Sequence, residues 1–223
     1  MNLRTTLSLG LLFGAASFGL AHPALEIGGG PSFSWLAESG PFVGKSQGRF
    51  VFNADLGLEL PIADGLSVVP SAAWVVRGDR LRREASAEAP AAINSSVRVT
   101  YLQFPVLLRA QFPAGPVRIE LFLGPSLGLP LTASMHLHLM SPPGNEYPES
   151  ELDQKITDWA RPEFAMRSGL GARFPMGRVS AFARLTYHHG WTDVFEADVP
   201  WGGRERFGRN RALDLSLGLN LPL

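Results

Sequence analysis

Two pairs of histidines are the residues of this sequence with the clearest chemical potential. His136 and His138 occur in "SMHLHLM" at a spacing of two, which places both rings on one face of an extended strand. Two imidazoles on one face can share a transition metal, but this segment indicates no third ligand. The pattern therefore predicts a tall hairpin here rather than a metal site, and we expect no cofactor.

The second pair, His188 and His189 in "TYHHGWTDV", raises the question of catalysis. In lipid A 3-O-deacylases, which are eight-stranded barrels, a membrane-facing histidine precedes a nucleophilic serine by two residues. The corresponding positions here are Gly190 and Trp191, so the nucleophile that a histidine would activate is missing. We expect both histidines to lie at a membrane interface, and we expect no enzymatic activity.

Charge is the third chemical feature of the chain. The 223 residues include 20 basic and 20 acidic side chains, and only Lys45 and Lys155 are lysines. A net charge near zero excludes a strongly basic nucleic-acid binder and an acidic disordered tail. Arginine's planar guanidinium suits fixed pairing with carboxylates, so we expect ordered ion pairs.

Strands must position these residues, because apolar and polar side chains alternate from residue 24 onward. In "RFVFNADLGLEL" (49–60) Phe50, Phe52, Ala54, Leu56, Leu58 and Leu60 share one face. Short turns at 61–65, 111–116 and 175–177 alternate with long connections at about 37–48, 78–95, 134–161 and 190–208. Eight segments follow from this pattern: 24–36, 49–60, 66–77, 96–110, 117–133, 162–174, 178–189 and 209–221.

The alternation leaves open which face points inward, since a soluble lipocalin-like barrel would alternate too. Glycines on the polar face and aromatic residues near the strand ends favour an apolar outer face with two aromatic girdles. The girdle residues are Trp35, Phe50, Trp74 and Tyr187 towards the long loops, with Phe112 and Phe174 towards the short turns. The sequence thus predicts an all-β, eight-stranded, antiparallel up-and-down transmembrane β-barrel with short periplasmic turns and long extracellular loops.

The polar face would then line a narrow lumen rich in charge. We predict that Asp55, Glu120, Arg167, Arg184 and Asp214 share the middle height as a salt-bridged network, because unpaired ions away from water are costly. An alternative is a gated ion path through the same residues. The polar face also carries the charged residues Arg49, Arg77, Arg98, Arg109, Arg118, Arg173, Arg178, Glu26, Glu59 and Glu163.

The N-terminal segment "MNLRTTLSLGLLFGAASFGLA" is typical of a secretory signal, with an early cation, an apolar stretch and small residues before the cleavage position. We predict a signal peptide at 1–21 and a barrel domain at 22–223. Cleavage after Ala21 would leave His22 at the N-terminus, where amine and imidazole together could hold copper, although we expect no such site. The chain has no cysteine, which excludes disulfides and a lipoprotein anchor.

One segment resembles a known family. "YLQFPVLLR" (101–109) is similar to the "YLEIPLLLK" strand of the PorT-type and related eight-stranded outer-membrane β-barrels of Bacteroidetes-like bacteria, with Gln103 and Arg109 in place of glutamate and lysine. "LGPSLGL" (123–129) and "TYHHGWTDV" (186–194) resemble later strands of that family. The resemblance implies outer-membrane localisation and, since members include a secretion and gliding accessory protein, a structural or accessory role. The chain departs from bacterial barrels in ending with Leu223 rather than an aromatic residue.

The resulting expectation is a monomeric outer-membrane protein with a mostly closed lumen. Its partners would be membrane lipid and lipopolysaccharide, and a protein could bind the long loops; nucleic acid is not expected. Trp191, Phe195, Trp201 and Phe207 crowd into the last loop, where they either cap the barrel mouth or form a contact surface. A small pore or lateral transporter is the alternative function, and a lipid A deacylase is a more remote one.

Overall fold

A computed structural model describes residues 22–37, 45–83, 92–140, 150–198 and 204–223. The predicted signal peptide and Trp201 lie outside these ranges. Within them the chain forms the strands β1 (Ala24–Ala37), β2 (Lys45–Ser46), β3 (Arg49–Ala63), β4 (Leu66–Arg83), β5 (Ala92–Ala114), β6 (Val117–Met140), β7 (Ser150–Lys155), β8 (Glu163–Met176), β9 (Val179–Gly190), β10 (Phe195–Asp198), β11 (Arg204–Phe207) and β12 (Arg209–Pro222). One turn of 3-10 helix covers Thr157–Trp159. The described residues contain no helix that is both long and apolar enough to span a bilayer.

Eight long strands close into a barrel. The antiparallel neighbours run in the order β3, β1, β12, β9, β8, β6, β5 and β4, and the pairing of β3 with β4 completes the circle. Closure leaves no free sheet edge among these strands. The predicted fold class, a closed eight-stranded antiparallel barrel, is confirmed.

Three tight turns mark one end of the barrel. Gly65, Gly115 and Gly177 occupy them with φ of 66°, 65° and 70°, a left-handed conformation that glycine adopts without steric cost. Both ends of the barrel sequence lie at this same end, because Ala24 pairs with Pro222. The long connections therefore all leave the opposite end, as the alternation of loop lengths predicts.

The strands beside the long loops extend further than predicted. β4 continues to Arg83 and β5 begins at Ala92, so much of the predicted loop 78–95 is strand. β6 runs to Met140 and pairs beyond the barrel with β7, which forms the tall hairpin expected around His136. The sequence pattern stops earlier because these extensions leave the apolar surroundings that impose strict alternation.

Four of the prolines inside the strands do not produce the bulges that their missing N–H groups suggest. The register is the same on both sides of Pro31, Pro70, Pro105 and Pro125. The register shifts instead lie between Pro61 and Ala63, and between Thr100 and Tyr101 opposite Pro130. Each barrel strand pairs with two neighbouring strands, and this pairing keeps the register continuous at the four proline positions.

The barrel is inverted in polarity relative to a soluble one. Leu56, Val106, Leu123, Leu170 and Leu217 are 47–61% exposed on the outer face, while charged side chains of the alternate positions are buried. In 101–109, Gln103 and Arg109 point inward and Phe104, Val106 and Leu108 point outward, as predicted. An apolar exterior around a polar interior is the pattern of a barrel surrounded by lipid.

An apolar cluster closes the long-loop end of the barrel. We call it the mouth cap; it comprises Leu36, Ala73, Val75, Val97, Val99, Tyr101, Ala133, Ile156, Ala160, Val194 and Phe195. Val194 and Phe195 enter it from the last long loop and are 0% and 1% exposed. Phe195 is therefore a capping residue. Trp191 stays 46% exposed and packs against Phe164 in a tilted arrangement, with 5.4 Å between ring centroids.

Candidate functional site: a charged lumen

Three glutamates and three arginines fill the lumen near the tight turns. We call this set the turn-end cluster: Glu26, Glu59, Glu120, Arg109, Arg173 and Arg184. They come from six different strands, at inward positions of the two-residue alternation. All six side chains are 8% exposed or less. Equal numbers of opposite charges make the cluster neutral as a whole.

Each arginine of the turn-end cluster bridges more than one carboxylate. Arg173 donates to Glu26, Glu59 and Glu120 at 2.8–2.9 Å. Arg184 donates to Glu120 at 2.7 Å and to Glu26 at 2.8 and 2.9 Å. Such charge-assisted hydrogen bonds compensate for removing the ions from water and tie opposite walls together.

Phe182 sets the position of Arg184. Its ring lies against Gly28 and Gly218, where an added Cβ atom would overlap the ring carbon Cζ. The Arg184 guanidinium stacks on the face of the same ring, 3.7 Å from its centroid. The two glycines thus provide the space that lets an aromatic ring support the guanidinium in a narrow barrel.

A second group of charges lies further towards the long loops. This mid-barrel cluster consists of Arg77, Arg167, Asp214, Ser32 and Asn53. Arg77 donates to both carboxylate oxygens of Asp214, at 3.1 and 3.0 Å, and Arg167 approaches the same carboxylate at 3.4 Å. Asn53 donates to Asp214 at 2.9 Å and the Ser32 hydroxyl donates as well. The Asp214 carboxylate on β12 therefore contacts side chains of four other strands, β1, β3, β4 and β8.

A polar cavity of about 30 Å³ separates the two clusters. Asp55, Arg167 and Arg184 line it together with Ser71, Thr186 and Ser216. A single water molecule needs about 10–15 Å³ by this measure, so the space suits roughly two waters. It is an internal pocket on the scale of solvent molecules, much too small for a transported solute.

A layer of buried polar side chains around Glu163 lies between the mid-barrel cluster and the mouth cap. His188 Nε2 is 3.1 Å from Glu163, and both side chains are 0% exposed. Gln103 donates to the same carboxylate at 3.0 Å, and Asn210 donates to the Tyr101 hydroxyl at 3.4 Å. This layer places His188 inside the lumen.

The placement of the two adjacent histidines corrects one prediction. His188 is not an interface residue, because its position on β9 belongs to the inward set with Arg184 and Thr186. His189 does lie on the outer face, 6.0 Å from the Tyr187 ring. Two successive residues of a strand point to opposite sides, so only one of the pair could face lipid.

The five residues predicted to share the middle height fall into two clusters. Glu120 and Arg184 belong to the turn-end cluster, Arg167 and Asp214 to the mid-barrel cluster, and Asp55 lines the cavity between them. Counting residues from the turns misjudges the height because barrel strands are tilted and staggered against one another. All five nevertheless face the lumen.

Four arginines assigned to the lumen lie outside its closed interior. Arg98 is exposed at an outward position of β5, beyond the apolar band, where the outer face can carry charge. Arg49, Arg118 and Arg178 keep inward positions of the alternation but lie at the ends of the barrel, where Arg49 is half-buried and the other two are exposed. Conversely, sequence reasoning missed Asp79, which is 0% exposed and accepts backbone N–H groups of Leu36, Gly48 and Arg80 at 2.7–3.1 Å.

The aromatic residues assigned to the girdles occupy the outer face. Near the long loops Phe50 is 78% exposed, Trp74 41% and Tyr187 36%, while Trp35 is half-buried beside Phe33. At the turn end Phe112 is 50% and Phe174 45% exposed. These side chains lie at the two ends of the apolar band.

The first histidine pair is engaged by carboxylates of β7. His136 Nδ1 lies 2.6 Å from Asp153 and Nε2 lies 3.3 Å from Glu151. His138 pairs across the strands with Glu151. Among the described residues, no group of three potential ligands is arranged to hold a metal ion.

Comparisons with known proteins identify similar barrels at low similarity. The first is Neisserial surface protein A, with 10% identity, a TM-score of 0.45 and coverage of 90% of this chain and 97% of that one. A major outer membrane protein of Thermus thermophilus has 11% identity and a TM-score of 0.47, with 92% of this chain and 100% of that one covered. OprG of Pseudomonas aeruginosa has 12% identity and a TM-score of 0.41, with 90% of this chain and 95% of that one covered. No family model matches the sequence, and no curated protein matches it significantly. Identities and TM-scores this low carry no argument about the function of this chain.

Proposed function

We propose that this chain is an integral outer-membrane β-barrel with a closed lumen, acting as a structural or interaction component of the membrane. The closed lumen is the observation that carries the proposal. Two ion-pair clusters, the His188 layer and the mouth cap succeed one another along the barrel, and the side chains that form the ion pairs are nearly all less than 9% exposed. A permanent channel would need an open path past all of them.

The apolar exterior supports the membrane location. A protein in water would expose a continuous band of leucine, phenylalanine and valine side chains at great cost, whereas lipid solvates them. A closed barrel also satisfies its backbone hydrogen bonds within the sheet, as a bilayer requires. The predicted cleaved signal peptide and the orientation with periplasmic turns belong to the same proposal.

The finer alternatives have less support. The cavity is too small for a pore, and the buried clusters oppose a path for ions. Deacylation would require a histidine that reaches membrane lipid beside a serine nucleophile. His188 is buried in the lumen beside Glu163, and His189, on the outer face, is followed two residues later by Trp191 rather than by serine. The proposal includes an accessory role in secretion or gliding. The support for that role is the resemblance of 101–109 to PorT-type proteins.

Membrane fractionation with unheated and boiled gel electrophoresis tests the location and the fold together. We expect recovery in the outer-membrane fraction and a mobility that changes on boiling, because intact barrels resist unfolding in detergent. Recovery in the soluble periplasm without a heat-dependent shift would contradict the proposal. Single-channel recording tests the closed lumen.

A further inference from the structure

A row of basic side chains lies at the long-loop end of the barrel, separate from the buried lumen charges. We call it the outer cation belt; its members are Arg49, Arg80, Arg82, Arg98 and Lys155. Arg80, Arg82, Arg98 and Lys155 are exposed, and Arg49 is half-buried. Arg80, Arg82 and Arg98 take outward positions of their strands, whereas Arg49 takes an inward position at the rim, opposite Ser34. They belong to four strands that are adjacent or nearly so at the long-loop end.

Strand pairing places these cations close together on one surface. Lys155 pairs with Ser134, Ser134 with Arg98, and Arg98 with Gly78, so Lys155 and Arg98 are two strands apart, about 10 Å. Arg80 lies two residues beyond Gly78 on the same face, which makes it a diagonal neighbour of Arg98 at roughly 7–8 Å. Arg82 follows Arg80 at the next outward position.

Arg49 completes the belt from the other side. The backbone N–H of Gln47, two residues before it, donates to the carbonyl of Arg80 at 2.8 Å. The charged groups that act most strongly on Arg49 are Arg98 and Arg80, which have the same sign. Several guanidinium groups are therefore gathered where they repel one another.

The belt has no internal counter-charge in the described part of the chain. No described carboxylate lies within ion-pair distance of its five members, whereas the lumen arginines Arg77, Arg109, Arg167, Arg173 and Arg184 all have such partners. Asp153, on the same face of β7 as Lys155, is already engaged by His136 at 2.6 Å. Gathered, unpaired donors of one sign form a site for an external anion.

The belt lies beyond the apolar band of the barrel exterior. On β4 the exposed Trp74 precedes Gly78, the partner of Arg98, by four residues and Arg80 by six, about 13 and 20 Å along the strand. Aromatic residues of this kind lie at the level of lipid headgroups, so the cations further along the same strands, with Arg98 the lowest, lie on the headgroup side of the apolar band. A ligand that fits both surfaces has an anionic phosphate group and an apolar body.

We propose that the outer cation belt binds the phosphate groups of anionic lipids in the leaflet on the long-loop side. This inference rests on the proposed membrane location and adds a specific lipid site to it. Guanidinium groups suit phosphate because their donors match its oxygens in pairs. An acidic protein or a free anion lacks the apolar body that the adjoining face would contact.

The test uses the full mature chain, folded in an uncharged detergent, with phosphatidic acid or phosphatidylcholine added as the probe. Native mass spectrometry counts bound lipid and gives its affinity. The variant Arg80→Gln/Arg82→Gln/Arg98→Gln should bind phosphatidic acid at least about tenfold more weakly, the loss expected from one strong charged contact. The control, Arg118→Gln/Arg178→Gln, changes exposed arginines at the opposite end and should stay within about twofold of wild type.

Three results would overturn the inference. The first is a wild-type protein that does not prefer phosphatidic acid over phosphatidylcholine, and the second is an equal loss in both variants, which would indicate unspecific attraction. The third is full displacement of the lipid by excess inorganic phosphate or by an acidic peptide, which would assign the belt to a soluble ligand. If the triple variant does not fold, Arg98→Gln alone should still weaken binding.

Failure of this inference is distinguishable from failure of the proposed function. Boiled and unheated electrophoresis of every variant reports whether the barrel is folded, independently of bound lipid. A folded, membrane-located and non-conducting protein without lipid preference would contradict only the lipid site. A soluble or conducting protein would contradict the proposed function.

Discussion

Arg77 and Asp214 form a two-point ion pair across the lumen, with nitrogen–oxygen distances of 3.1 and 3.0 Å and side-chain exposures of 0% and 1%. The pair joins β4 to β12, which are separated by β3 and β1 in the wall. Backbone hydrogen bonds join only neighbouring strands, whereas an ion pair across the lumen fixes the distance between opposite walls of the barrel. The pair is thus a brace, and it also blocks the lumen.

Removing the acidic partner of this brace should destabilise the barrel strongly. Asp214→Ala leaves Arg77 buried without its carboxylate, and breaking a buried pair from one side costs about 3–5 kcal/mol. Urea unfolding in lipid vesicles, followed by tryptophan fluorescence, measures the free energy of unfolding. Asp64→Ala, at an exposed turn position, is the control and should change it by less than about 0.5 kcal/mol. A similar small effect at Asp214 would contradict the bracing role.

The turn-end cluster should behave as a coupled unit rather than as separate contacts. Glu120 and Arg184 are joined at 2.7 Å, so we expect Glu120→Gln and Arg184→Met to show an interaction energy of about 1–3 kcal/mol in a double-mutant cycle. Pairing Glu120→Gln with Arg80→Gln, which lies on the outer face, supplies the control cycle. Additive effects within the cluster would show that its members do not stabilise one another.

Phe195 should hold the last long loop onto the barrel. Phe195→Ala removes a ring that is 1% exposed within the mouth cap, a change that costs about 3–5 kcal/mol at a fully packed site. Limited proteolysis should then cleave within 191–208 faster, while the heat-dependent mobility of the barrel persists. Trp191→Ala, at a residue 46% exposed, should leave the cleavage rate nearly unchanged. Equal rates for wild type and Phe195→Ala would exclude the capping role.

His188 should not support lipid hydrolysis. Its ring lies in the sealed lumen beside Glu163, so membrane lipid cannot reach it. Mass spectrometry of lipid A from cells producing wild type or His188→Ala should give the same acylation pattern. A 3-O-deacylated species that disappears with His188→Ala, but persists with His189→Ala, would establish the enzymatic alternative.

The sequence predicts which residues face the exterior of this barrel better than it predicts which side chains meet in the lumen. Alternation in 101–109 assigned Gln103 and Arg109 to the lumen and Phe104 to the exterior correctly, because lipid imposes that pattern on every residue of the segment. At Arg98 charge and alternation disagree. The charge suggests the lumen, but the residue takes an outward position of the same strand as Phe104 and Leu108. Beyond the apolar band the outer face carries charge as readily as the inner one.

Partnerships inside the lumen depend on distances that a one-dimensional pattern does not contain. Asp214 meets Arg77 across three intervening strand pairings, and Glu120 meets Arg184 on a different level. The stagger between strands that sets these levels comes from the register of all eight pairings together. Asp79 was missed for a different reason, because its segment was predicted to be a loop although it continues β4.

Single-channel recording of the purified protein in a planar bilayer tests the closed lumen most directly. The turn-end and mid-barrel clusters occlude the barrel, so the wild-type protein should show no steady conductance, with a folded porin as positive control. The Glu120→Ala and Arg167→Ala variants should give the same result as the wild type, with no steady conductance. A steady wild-type conductance that changes with either substitution would show that ions pass these residues, and it would contradict the closed barrel.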